Sequence, residues 1–129
     1  MLSPGRFTPV LVTATLLLLM GCGSTERPDP ATWRESWQQM VAGIPDQGDL
    51  EVTAQQEICQ QALAEVRDGT SALLPAPSMT VDDLVNEWVS VAETAFFECP
   101  PREEELQSFD EAYAELERIE ESIETALSG

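Results

Sequence analysis

The sequence predicts an all-α fold, a small three- to four-helix bundle with one disulfide, following a cleaved signal peptide. Three observations lead there. Four segments beyond residue 30 repeat apolar residues every three or four positions, the spacing of one helix face. Each of them has a helix-start signal before it. Cys59 and Cys99 sit at ends of neighbouring helical segments that an antiparallel hairpin would bring together.

The N-terminal segment reads as an export signal rather than part of the bundle. Arg6 and the amino terminus give a positive start, and an apolar core of about 11 residues spans positions 10–20. A membrane-crossing helix needs roughly 20 apolar residues, so this stretch is too short to span. It ends in Leu19-Met20-Gly21-Cys22. That tetrapeptide resembles the lipobox of bacterial lipoproteins: an aliphatic residue, a tolerant position, a small residue and a cysteine. The resemblance implies cleavage between Gly21 and Cys22 and a diacylglyceryl thioether on Cys22. It divides the chain into a signal peptide at 1–21, a lipidated tether at 22–30 and an acidic helical domain at 31–129. Two or more acyl chains hold a protein stably on a membrane where one does not.

The first helical segment has two candidate starts. Thr32-Trp33-Arg34-Glu35 fits a capping box, and Asp29-Pro30 places a proline where a first helical turn tolerates it. Trp33, Trp37, Met40 or Val41, and Ile44 then share one face. Gly43 and Ile44-Pro45 end it, and residues 46–49 read as loop. Thr53-Ala54-Gln55-Gln56 opens the second helix by a similar box. Its apolar stripe is Ile58, Cys59, Ala62, Leu63 and Val66, and Gly69 reads as its stop. Residues 70–78, with Pro75 and Pro77, read as a connection.

Thr80 starts the third helix in this reading, with Asp83 in the box position and Met79 stapled onto Leu84. The apolar residues from Val81 to Cys99 fill two adjacent stripes, more than one neighbour covers, so this helix is expected to be central. Phe97 falls near its polar side, either packed under the next segment or exposed. Pro100-Pro101 stops it. The fourth helix begins at about Arg102, or at the capping box of Ser108-Phe109-Asp110-Glu111, and runs to Leu127.

With Cys22 modified, Cys59 and Cys99 are an even pair in an oxidising compartment, the setting in which disulfides persist, with two free thiols on a helical face as the alternative. Closing that loop stabilises by roughly 4 kcal/mol on the chain-entropy account. Loss of Arg6 leaves five arginines against 24 acidic residues, a net charge of −19. Such a surface repels nucleic acid and anionic phospholipid. It is either a solvated face or a docking surface for a cationic partner or loosely held Ca²⁺.

Histidine and lysine are both absent, which excludes Ser–His and Cys–His nucleophiles, imidazole-metal sites, Schiff bases and lysine-bearing phosphate loops. Glu87, Glu93 and Glu98 are the candidates for a carboxylate pair, with a solvated helix side as the alternative. Glu103, Glu104 and Glu105, and Glu120, Glu121 and Glu124, are the clusters that would attract a hard cation, but neither has the ligand alternation of a calcium loop. No metal site, cofactor or catalytic motif is therefore expected. Trp33 and Trp37 are core residues, an apolar patch for a partner together with Phe97, or a pair sitting near the lipid headgroups.

Behind the lipobox, the lysine-free composition and the Cys59…Cys99-Pro100-Pro101 arrangement resemble the small helical lipoproteins of actinobacteria, a likeness that implies no particular activity. The expectation is a lipid-anchored protein on the extracytoplasmic face of the cell membrane, a binding or structural module whose partner is a cationic or apolar envelope protein. A carrier with a cavity beside Trp88 and Phe96 is one alternative, and a carboxylate-based hydrolase is another.

Overall fold

The computed structural model describes residues 26–52 and 56–129. Gly21, Cys22 and the capping box at Thr53 lie outside the described residues. The fold is all-helical, with no strand among the described residues. Its elements are α1 (Pro30–Ala42), a short α2 (Gln47–Val52), α3 (Gln56–Leu73), α4 (Met79–Phe97), a 3-10 turn (Glu103–Glu105) and α5 (Leu106–Ser128).

Helix α1 starts at the proline rather than at the threonine box. Proline has no amide to leave unsatisfied, so Pro30 takes the first turn and puts Asp29 at the cap. The Asp29 carboxylate accepts from the amides of Ala31 and Thr32 at 3.1 and 3.2 Å. After Gly43 the chain does not stay irregular as residues 46–49 led us to expect. The amides of Asp49 and Leu50 both donate to the Asp46 carbonyl, and α2 winds on from there. Its reason is Leu50, which is 0% exposed and reaches the core only if the chain turns back.

Helix α3 runs four residues past Gly69, the expected stop. No glycine among the described residues has a positive φ, so Gly69 is an ordinary helical residue with a packing role. A Cβ there would fall on the methyl of Met40, so the missing side chain lets α1 approach. The connection to α4 is correspondingly short, residues 74–78. Ser78, not Thr80, caps α4, its hydroxyl accepting from the Val81 amide at 3.2 Å. Met79 is 72% exposed and does not staple onto Leu84.

Helix α4 is the central element, packed against α3 on one side and α5 on the other. Its buried residues are Val81, Val85, Trp88, Val89, Ala92, Ala95 and Phe96. The α3–α4 pair is an antiparallel hairpin closed by the Cys59–Cys99 disulfide, with Cα atoms 5.5 Å apart. The 3-10 turn that leads into α5 begins from Arg102, whose amide and guanidinium both donate to the Glu105 carboxylate. Ser108 lies inside the helix and caps nothing. Phe109, Leu116, Ile119 and Ile123 form its buried stripe.

Replacing Cys59 and Cys99 together by alanine should lower unfolding free energy by roughly 4 kcal/mol, read as a shift in the urea midpoint. An unshifted midpoint would mean that packing alone closes the hairpin. At Gly69, alanine gains about 1 kcal/mol of helix propensity but displaces Met40. The Gly69→Ala change should therefore be near neutral alone and stabilising by about 1 kcal/mol in a Met40→Ala background, a coupling that a double-mutant cycle measures.

Candidate functional site

Three tryptophans separated in sequence meet in the core. Trp33 and Trp37, one turn apart on α1, stack with ring centroids 5.9 Å apart. Trp37 also meets Trp88 of α4 edge-on at 5.1 Å, a favoured aromatic geometry. Trp33 is 3% exposed and Trp37 2%, so neither offers the exposed apolar patch considered for a partner. Both are core residues. The Trp33 indole donates to the Leu73 carbonyl at 2.8 Å, which satisfies the end of α3 as well as the ring.

A surface groove lies over this cluster between α1 and α5. Trp37, Val41 and Ala42 form one side, Glu120 and Glu124 the other, around a hollow of about 240 Å³. It continues past Val41 and Glu120 into a second hollow of about 180 Å³ beside Ile44, Pro45, Tyr113 and Glu117. Two contacts set its ends. Arg34 of α1 pairs with Glu124 of α5 at 3.1 Å, and the Tyr113 hydroxyl donates to the Pro45 carbonyl at 2.9 Å.

Glu120 is the chemically distinctive residue of the groove. It is half-buried, and its carboxylate accepts from the Trp88 indole at 3.0 Å. Desolvation raises its pKa above the ordinary glutamate value, with the Glu117 charge adding to the effect and the indole bond opposing it. An apolar floor beside a half-buried glutamate and a rim of further acids suits a ligand that carries positive charge and some apolar surface.

The remaining candidates are spread out. Glu87 pairs with Arg118, and Glu93 with Arg67, each at 3.0 Å, while Glu98 ends α4. These carboxylates sit on separate exposed seams and face no common cleft. Among the described residues, no three Cys, Asp or Glu side chains converge as a metal-ligand set. Trp88 and Phe96 are 0% and 1% exposed, so the space beside them is filled rather than open as a carrier would need. A hollow of about 430 Å³ opens instead between α1 and α3 at Met40 and Gly69. Phe97 is 74% exposed, and Ile58, next to Cys59, is 42% exposed. Sequence reasoning missed the Trp88–Glu120 pair, because 32 positions separate the two and only the α4–α5 packing joins them.

The chain matches no protein-family model, no curated protein and no solved structure.

Because Glu120 holds its proton more tightly in the folded chain, its contribution to stability grows as pH falls and is lost as pH rises through its raised value. Glu120→Gln keeps an oxygen for the Trp88 indole without the charge. Its urea midpoint should equal or exceed that of the parent at pH 7, and the difference should shrink towards about pH 4. A large loss at pH 7 would show instead that the carboxylate charge is needed for folding.

Proposed function

We propose that the protein is a membrane-anchored extracytoplasmic lipoprotein whose helical domain acts as a small binding or structural module of the cell envelope. The observation that carries this reading is Leu19-Met20-Gly21-Cys22 at the end of a short apolar run. The Cys59–Cys99 disulfide supports it, since such bonds persist in oxidising compartments. Among the described residues, no helix is long and apolar enough to cross a membrane. A lipid on Cys22 is then the means of attachment.

The partner class follows from the surface. The groove between α1 and α5 combines apolar residues with Glu117, Glu120 and Glu124, which favours a cationic envelope protein or peptide with an apolar side. Nucleic acid and anionic lipid are disfavoured by the net charge of −19 that remains after cleavage. In this reading the domain binds or braces and does no chemistry.

Expression in a bacterium fed an alkyne-bearing fatty acid tests the anchor. The chain should carry the label and partition with membranes, and Cys22→Ser should lose both, leaving an uncut or soluble product. Label retained by the serine variant would overturn the assignment of Cys22.

A further inference from the structure

We propose that Arg27 latches the tether to the domain and turns one end of the bundle, the 74–78 connection and the start of α4, towards the membrane. The proposal rests on the lipid anchor at Cys22 and adds the orientation that anchor imposes.

The latch is a three-way contact between parts of the chain about 50 residues apart. The Arg27 guanidinium donates to the Ala76 carbonyl at 2.9 Å and to the Asp82 carboxylate at 2.7 Å. The other Asp82 oxygen accepts from the Ala76 amide at 2.7 Å, so arginine, connection and helix start are tied together. Both side chains are partly shielded, at 34% and 23% exposure. Asp29 then caps α1, and Trp33 bonds to the Leu73 carbonyl at the same end of the bundle. Between Arg27 and Trp33 the chain is thus tied to this end of the bundle at several points.

Length turns this contact into an orientation. Five Cα steps separate Cys22 from Arg27, a reach of at most about 18 Å. Helix α3 has 18 residues and is about 27 Å long. The lipid therefore cannot reach the Cys59–Cys99 end of the bundle while Arg27 is bound. Releasing Arg27 frees the chain as far as Asp29, and seven steps span up to about 25 Å, close to the helix length. The latch thus shortens the tether and holds the anchor closer to the 74–78 end of the bundle. Met79, 72% exposed at the start of α4, then meets the lipid surface instead of bulk water. Phe97 and Ile58, near the disulfide, lie at the opposite end of the bundle, which this orientation turns away from the membrane.

The test uses the full chain processed by a lipoprotein-making bacterium, isotope-labelled and placed in phosphatidylcholine nanodiscs containing a lipid with a gadolinium-chelate headgroup. Amides of residues 76–82 should relax roughly tenfold faster than those of 56–60 and 97–102, given a separation near 27 Å. Arg27→Gln should cut that ratio several-fold while leaving amide shifts elsewhere unchanged. A uniform or reversed gradient would overturn the orientation. A gradient untouched by Arg27→Gln would show that the docking of α1 alone sets it, and would overturn the latch. Intact mass separates these failures from the other: a chain without a diacylglyceryl group on Cys22 overturns the anchor and the orientation with it.

Discussion

Burial of α4 on two faces is the constraint from which the remaining packing follows. Its Val81, Val85, Trp88, Ala92, Ala95 and Phe96 are all nearly inaccessible to water. Fully burying an aliphatic or aromatic side chain stabilises by about 1.5–3 kcal/mol, so no other helix contributes as much from one element. Two apolar stripes require two partners, and α3 and α5 supply them. The disulfide fixes α3 at one end of that arrangement and the five-residue connection fixes it at the other. Helix α1 is added through its tryptophans, with Trp37 set against Trp88 and Trp33 bonded to the end of α3.

Charge works on this frame without holding it together. All five arginines of the described residues pair with carboxylates, and four of the five join separate parts of the fold: Arg27 the tether and α4, Arg34 α1 and α5, Arg67 α3 and α4, Arg118 α5 and α4. Exposed pairs of this kind contribute about 0–1 kcal/mol each. Their placement on seams still matters in a chain this acidic, because each cation sits where carboxylates from another part of the fold approach. Asp82 and Glu120 respond to acid in opposite senses. The Ala76 amide and then Arg27 hold Asp82 below the ordinary aspartate range, so its contribution is present above that range and lost as pH falls through its lowered value. Desolvation moves Glu120 the other way, raising its pKa above the ordinary glutamate value, so its contribution is lost as pH rises through that raised value.

The four longer helices, the central helix and the cysteine pairing were legible because each rests on a repeated or doubled signal. Ten apolar residues in two stripes outweigh any single misreading, and the pairing of Cys59 with Cys99 follows from hairpin geometry as well as from the thiol count. Boundaries were less legible because several residues nearby offer the same hydrogen bond. Thr32 and Asp29 both qualify as caps until the proline restriction at Pro30 is weighed, and Ser78 competes with Thr80 in the same way. Gly69 has the signature of a stop, but its purpose is room for Met40, a residue 29 positions earlier on another helix.

What the sequence by itself determined is the helical class, the amphipathic faces and the acidity, along with a disulfide at the two meeting ends of a hairpin. These depend on periodicity, charge and chain connectivity, all of which are local or additive. Tertiary structure alone decided the turn at α2, which exists to bury Leu50, and the interior position of Trp33 and Trp37. It alone also decided the groove with its half-buried Glu120 and the contact of Arg27 with Ala76 and Asp82. Each of these depends on which surfaces face each other across the bundle, and a one-dimensional pattern does not contain that relation.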